Sequence, residues 1–277
     1  MNVRILTDTA SDCTPQEVEQ LKLDLIELPV TLDGEEVSYK DVDIFWQKLI
    51  EGKLARTSQQ SPEVFRSKFE EAKQQGDALV CILISSHMSG SYDNAVAIKE
   101  EVGYEHVYVI DSLNASTTEM ILVREACRLR DEGATAQQIV EHVEKLKHRV
   151  KIFACLDTLK YLARGGRISK TAATIGNLIN LKPAITFVDG HVTTFAKAFG
   201  VTQGAHKLMD KMREIPADPA FGYIPIYADN SKNTRSFVER AREKGFEIDE
   251  NNLTPIGATI GTHIGPNAFG IVFVAKE

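Results

Sequence analysis

The chain has 277 residues, 43% of them hydrophobic and 26% charged, with 32 Lys+Arg against 39 Asp+Glu and a formal net charge of −7. That is the make-up of a globular protein with one large or two moderate cores, and the lack of any basic block interleaved with aromatics argues against a nucleic-acid partner. No apolar stretch approaches the roughly 18 residues of a spanning helix, and the opening residues read as a strand rather than a signal peptide, so a cytoplasmic location is expected; transient contact with a membrane surface stays open.

Residues 3–7 read as a short strand, followed by the polar loop Asp8-Thr9-Ala10-Ser11-Asp12-Cys13. Thr14-Pro15-Gln16-Glu17 then opens a helix, because a Thr three residues before a Glu satisfies the first amide groups reciprocally and a first-turn proline loses no hydrogen bond. Residues 25–32 and 37–39 form an extended pair about an Asp33-Gly34 turn, and Phe45, Trp46, Leu49 and Ile50 mark a short helix ended near Gly52. Thr57-Ser58-Gln59-Gln60 is a polar loop, after which Ser61-Pro62 starts a helix that runs to Gly76. The run Leu-Val-Cys-Ile-Leu-Ile at 79–84 does not alternate, as expected of a parallel strand covered on both faces. A helix over 92–102, a strand over 106–110, a polar loop at 111–116, a helix over 117–130 and a further helix capped by Thr135 follow. Repeated strand, polar loop and helix predict a parallel sheet with its polar loops along one edge.

From residue 150 the texture changes. A strand over 150–155, a hairpin over 186–194 with an Asp189-Gly190 turn, and strands near 222–228 and 269–275 predict a mixed or antiparallel sheet flanked by helices. The expected fold class is α/β with two domains: a parallel-sheet α/β domain over 1–150 and an α+β domain over 151–277. Part of residues 40–75 can pack with the second domain, and a ligand is expected between or within the two.

Ser85-Ser86-His87-Met88-Ser89-Gly90-Ser91 sits between the buried strand and the next helix. Unpaired amide N–H groups, the positive end of the helix dipole and serine hydroxyls make it a cup for a carboxylate or phosphate. A hydrolase reading takes Ser89 as nucleophile, His263 or His87 as base and Asp8, Asp12 or Asp111 as the orienting carboxylate. Against it, His87 and Ser91 fill the positions where G-x-S-x-G has glycines. Gly165-Gly166-Arg167 offers backbone N–H groups and a guanidinium to a phosphate, or is a helix C-cap followed by a surface arginine. Gly261-Thr262-His263-Ile264-Gly265-Pro266 reads as a loop in which small residues rim a histidine. No Walker lysine, G-x-G-x-x-G or H-x-x-x-H pattern occurs, so no metal or cofactor is expected. Of the four cysteines, Cys81, Cys127 and Cys155 lie in apolar strand or helix contexts and read as buried, while Cys13, in a loop, is a candidate reactive thiol.

Together these segments resemble the DegV family of bacterial fatty-acid-binding proteins, which includes the lipid-carrying subunits of fatty acid kinase. The resemblance spans nearly the whole chain. It rests on the order and spacing of Thr7-Asp8-Thr9-Ala10-Ser11-Asp12, Thr57-Ser58-Gln59-Gln60-Ser61-Pro62, the Ser85 to Tyr92 cup, Val109-Ile110-Asp111-Ser112, Gly165-Gly166-Arg167-Ile168-Ser169, Gly176 with Leu181-Lys182-Pro183, and the His263 segment. It implies a protein that buries one long-chain fatty acid and holds its carboxylate with Thr57, Ser89 and His263, while Arg167, Ser58 and Gly90 face the ligand or a kinase. It further implies a carrier that does not catalyse. A separate ATP-dependent fatty acid kinase phosphorylates the presented carboxylate, and the acyl phosphate feeds phospholipid synthesis. On this reading residues 171–181 line the tail tunnel or pack in the core. The chain departs from the family pattern at Phe199, where Lys-x-Arg-Gly has arginine, at Thr117, Thr118 and Glu119, where glycines are common, and at Ile264 and Asn267. Loss of the cation at 199 bears on kinase coupling more than on acyl binding.

Overall fold

The computed structural model describes residues 1–168 and 181–277. In the first half, β1 (Val3–Asp8), α1 (Pro15–Gln20), β2 (Asp24–Ile26), β3 (Val30–Leu32), β4 (Glu35–Val37), α2 (Val42–Ile50), β5 (Ala55–Thr57), α3 (Pro62–Gln75), β6 (Ala78–Leu83), α4 (Ser91–Val102), β7 (Val107–Asp111), α5 (Thr117–Asp131) and α6 (Ala136–Leu146) follow in chain order. The second half has β8 (Val150–Cys155), α7 (Lys160–Gly165), β9 (Leu181–Val188), β10 (His191–Phe199), α8 (Gly200–Glu214), β11 (Tyr223–Tyr227), α9 (Lys232–Glu243), β12 (Thr254–Pro255), α10 (Ala258–Ile264) and β13 (Phe269–Val274).

The parallel sheet runs β2-β1-β6-β7, and every residue of β6 is buried. Its unbroken apolar run is explained by cover on both faces. Phe65, Phe69, Ala95 and Ile98 of α3 and α4 pack on Leu79, Cys81 and Leu83 from one side, while residues of α5 and α6 meet Val80 and Ile82 from the other. Because all four strands point the same way, the loops after β1, β6 and β7 gather at one edge. There the Asp8 carboxylate accepts from Ala10 N (2.8 Å) and Ile84 N (3.2 Å), and Ser116 N donates to Ala10 O (2.6 Å).

The second sheet runs β10-β9-β8-β13-β11-β12, antiparallel except for the β11–β12 pair. Period-two alternation sends Ile152, Ala154, Val272 and Val274 inward to the cluster that holds α5 and α6. Phe153, Cys155, Ile271 and Phe273 point outward, where α8 and α9 cover them with Leu208, Met209 and Phe237. The architecture is thus α/β, with α5 largely buried between a parallel and a mixed sheet and α6 beside it burying one face.

A third sheet, β4-β3-β5, carries Thr57 at the end of β5. Its hairpin turns at Asp33 (φ 51°) and Gly34 (φ 92°), as the Asp-Gly pair predicts. The adjoining α2 lays Phe45 and Trp46 on α10. A Cβ on Gly261 would lie 2.7 Å from Phe45 Cε1 and 2.8 Å from two Trp46 atoms, so only glycine permits that approach. Here the structure corrects an expectation: His263 stands on the last turn of a helix, not in a loop. Glycine costs an isolated helix about 1 kcal/mol, but burial of α10 against α2 outweighs it, and Gly265 (φ 73°) then ends the helix.

Candidate functional site

One cavity lies between the two large sheets, with about 900 Å³ of empty space, mouth included. Both halves of the chain build it. Leu28, Ile84 and Ala115 come from the first half, and Ile152, Ala154, Leu156, Ile185, Phe187, Ile226 and Phe269 from the second. The walls are mainly apolar, and Thr57, Ser58, Gln59, Ser89, Ser116, Arg167, Thr259 and His263 contribute the polar groups.

Thr57 and His263, 206 residues apart in sequence, meet through a 2.8 Å hydrogen bond between Oγ1 and Nε2. Three further contacts from the first half fix the helix that carries the histidine. Asp12 Oδ1 accepts from Gly257 N (3.0 Å), Thr9 Oγ1 bonds Thr259 Oγ1 (3.0 Å), and Trp46 Nε1 donates to Ile256 O (3.2 Å). Burial, with Arg167 and Arg164 adding repulsion, pushes the His263 imidazole down to about 4, so the ring is neutral at pH 7. Its Nδ1 is buried without a hydrogen-bond partner and sits where a Cβ on Gly165 would lie 2.2 Å away. With the proton on Nε2, the ring donates to Thr57 and leaves the threonine O–H pointing its own proton elsewhere.

The 85–91 loop contributes less backbone than its sequence predicts. Ser86 N donates to Asp111 Oδ1, His87 N to Ser85 Oγ, Met88 N and Ser89 N to Ser85 O, and Ser91 N to Ser89 Oγ. These five amide groups hold the loop in shape and are not free for an anion, so side chains supply much of the polar contribution to the cavity. Ser89 Oγ lies 2.9 Å from Ser91 Oγ. Arg167 Nε donates to Met88 O (3.0 Å) and its Nη1 to Gly165 O, which ties the cup to the end of α7. Gly166 caps that helix at φ 72°. Gly90 packs against the Gln59 side chain, which a Cβ would meet at 2.1 Å, so a glycine here lets the 57–60 loop close on the cup. From the far half, Gly190 O at the hairpin tip accepts from Ser85 Oγ (2.9 Å).

The hydrolase arrangement is not assembled. His263 bonds Thr57 rather than Ser89, and His87 is exposed and stacks on His191 with 3.9 Å between ring centroids. Asp8 serves the amides of Ala10 and Ile84, Asp12 serves Ser116 and Gly257, and Asp111 serves Ser86 and Leu113. Cys13 is buried, and burial pushes its thiol up to about 12, which removes it as a reactive group. No cluster of His, Cys, Asp and Glu among the described residues could hold a metal ion, and no described helix is long and apolar enough to cross a membrane.

Behind the cavity wall lies a buried carboxyl group that sequence reasoning noted only as a departure. Glu119 is fully buried at the start of α5, takes a 3.3 Å bond from Thr7 Oγ1, and has its Oε2 unpartnered. Burial and the neighbouring Asp8 hold it well above the usual carboxylate range; burial likewise pushes Asp8 up to about 6 and Asp12 to about 7.

The structure therefore brings Thr57, Ser58, Ser89, Arg167 and His263 to one cavity and places Gly90 in its supporting shell. It also adds Ser116 and Thr259. Ser116 has φ 60° and ψ −148°, a conformation rarely adopted by a residue with a side chain, which no local pattern announces. Gly176 and residues 171–180 of the expected tunnel segment lie outside the described residues; Leu181 starts β9. Phe199, 63% exposed, ends β10 opposite Leu181.

Fold and site define a class: an α/β protein whose two sheets enclose one mainly apolar cavity with a hydroxyl and imidazole cluster in its wall. The family model described as "Uncharacterised protein, DegV family" matches residues 2–276. The chain belongs to the DegV family. A DegV domain-containing protein of Caldanaerobacter subterraneus subsp. tengcongensis is 32% identical over 279 residues, covering 99% of each chain. A protein of Thermotoga maritima named fatty acid-binding protein is 29% identical over 98% of this chain and 96% of its own. Among solved structures, a fatty acid-binding DegV family protein of Thermus thermophilus superposes with a TM-score of 0.86 at 26% identity, covering 100% of both chains.

Proposed function

We propose that this protein binds one long-chain fatty acid, with the acyl chain in the cavity between the sheets and the carboxylate held by Thr57, Ser89 and His263. The observation that carries the reading is the distribution of atoms in that cavity, where apolar walls dominate and Thr57 and a neutral His263 form a hydrogen-bonded pair in the polar part. A phosphate or nucleotide would find too little polarity in such a space. A sixteen-carbon tail gains on the order of 10 kcal/mol gross at about 0.8 kcal/mol per CH₂, before the cost of ordering it. The head group then needs only to be satisfied and oriented. The names of the Thermotoga and Thermus relatives support the same ligand class.

The finer part of the proposal is that the protein is a carrier in the cytoplasm, with domains 1–150 and 151–277 closing on the ligand. It presents the carboxylate to a separate ATP-dependent kinase. There a carboxylate oxygen attacks the γ-phosphorus, the bond to ADP breaks, and the acyl phosphate goes on to phospholipid synthesis. Exposed Ser58 beside the cavity and the tied-up aspartates, which leave no base at Ser89, support presentation rather than catalysis.

Native mass spectrometry of the purified protein, followed by extraction and identification of any lipid, tests the reading. A protein that is empty and takes up no long-chain fatty acid sinks it. Thr57→Val, Ser89→Ala and His263→Ala are each expected to weaken palmitate binding by roughly 1 to 3 kcal/mol, the cost of an unmet buried polar group. The wild type is expected to leave an activated acyl ester intact, whereas turnover silenced by Ser89→Ala favours the hydrolase.

A further inference from the structure

A second cavity lies against the first. Thr57, Arg167 and His263 line both, so the hydrogen-bonded Thr57–His263 pair is part of the partition between them. The second space, about 650 Å³ with its mouth, is lined by Leu54, Ala55, Arg56, Tyr161, Arg164, Gly165 and Thr262 in addition to the shared residues. It thus collects three arginines, Arg56, Arg164 and Arg167, and none of its lining residues is acidic. In a chain of net charge −7 that is a local inversion of sign. Most arginines elsewhere are neutralised: Arg4, Arg66, Arg124, Arg128, Arg130, Arg149, Arg213 and Arg242 each pair with a carboxylate, while Arg235 and Arg240 on α9 do not. Among the described residues Arg56, Arg164 and Arg167 have no carboxylate partner either, and these three share one cavity. Arg164 lies over the Tyr161 ring, 5.1 Å from its centroid, and Arg167 is held by the carbonyls of Met88 and Gly165.

We propose that this arginine-lined cavity is a binding site for a phosphoryl group, with Arg56 and Arg164 as the residues that recognise it. Planar guanidinium forks match the oxygens of a phosphoryl group in geometry and sign. The field of Arg164 and Arg167 already reaches the shared wall, since it disfavours a proton on His263. A single carboxylate calls for less charge than the cavity assembles, and the first cavity provides for a carboxylate. The identification of the lipid-borne source rests on the proposed fatty-acid reading, because a phosphoryl attached to the acyl carboxylate emerges at this partition. A free phosphate is the other source of the same chemistry.

The test compares palmitate, hexadecylphosphonate and inorganic phosphate on the full chain, with Arg56→Gln and Arg164→Gln singly and together. Lipid affinities are read by displacement of a fluorescent fatty acid, and phosphate by ³¹P line broadening. Both arginines are exposed, so thermal melts should confirm folded variants. The double variant should bind hexadecylphosphonate about tenfold to a hundredfold more weakly, while palmitate stays within about twofold. The corresponding double lysine variant should recover part of the loss. Loss of phosphonate binding without any phosphate broadening assigns the site to the lipid-borne group. An unchanged phosphonate affinity, or equal losses for palmitate and phosphonate, overturns the proposal. If the wild type binds neither lipid, the fatty-acid reading fails and the phosphate arm decides alone. Broadening abolished in the double variant then supports a free-phosphate site, and unaltered or absent broadening overturns it.

Discussion

Gly165→Ala separates the geometry of the Thr57–His263 pair from its chemistry, because it alters neither residue. Gly165 closes α7 and is not among the positive-φ residues, so its backbone accepts alanine without strain. The added methyl, however, would sit 2.2 Å from His263 Nδ1 and 2.8 Å from Cε1, where ordinary contact begins at 3.4 Å. The imidazole must retreat by about 1.2 Å, more than enough to break its 2.8 Å bond to Thr57. Losing that bond with both partners half-buried costs about 1 to 3 kcal/mol, against which alanine returns at most about 1 kcal/mol of helix propensity to the fold. Palmitate affinity, which gains nothing from propensity, should fall by roughly fivefold to a hundredfold or more, while the net loss of up to about 2 kcal/mol in the fold lowers the melting temperature by no more than about 8 °C. Titration calorimetry with palmitate measures the first and scanning calorimetry the second. If affinity stays within about twofold while the His263 ring resonances are unmoved, the pair is not what holds the head group and the reasoning is wrong.

Three other outcomes are expected. Stability should decline as pH rises from about 5 to 8. Asp8 and Asp12, with ordinary values of 3.8 but held near 6 and 7, keep protons in the folded state that the unfolded chain has released, so stability from these groups is lost as pH climbs through that window. His263, lowered from 6.5 to about 4, acts oppositely between those values, but it is one group against two aspartates and Glu119. Urea midpoints across this range check the balance, and a rising midpoint contradicts it. Glu119→Gln, which keeps the shape while removing the ionisable group, should flatten the decline; an unchanged slope would clear Glu119 of any part in it. Gly261→Ala drives a methyl into the rigid rings of Phe45 and Trp46 and should destabilise by about 1 to 3 kcal/mol, with a shift in the emission of Trp46, the chain's single tryptophan. An unaltered spectrum and melting temperature would show that α10 is not docked as described.

Much of the fold was legible locally. The unbroken apolar run of β6, the capping box of Thr14–Glu17, the helix cap at Thr135 and the Asp-Gly turns at 33–34 and 189–190 depend on interactions within a few residues, and each appears where its pattern predicts. Thr57, Ser58, Ser89 and His263 of the candidate site were also named from the sequence, from motifs in which residue type and spacing carry the information, whereas Ser116 and Thr259 were not. What the sequence by itself could not decide is how these groups divide their hydrogen bonds. The cup's amide groups looked available to an anion because a linear pattern shows donors and not their partners; folding assigns those of residues 86–89 to Ser85 and Asp111. The helical state of the His263 segment, the strained backbone of Ser116 and the burial of Glu119 depend likewise on surfaces contributed from far along the chain. The meeting of Thr57 with His263 and the gathering of Arg56 with Arg164 and Arg167 arise for the same reason. Propensity and capping act over a few residues and are written in order along the chain, whereas an enclosed cavity and its field are sums over whatever packing brings together.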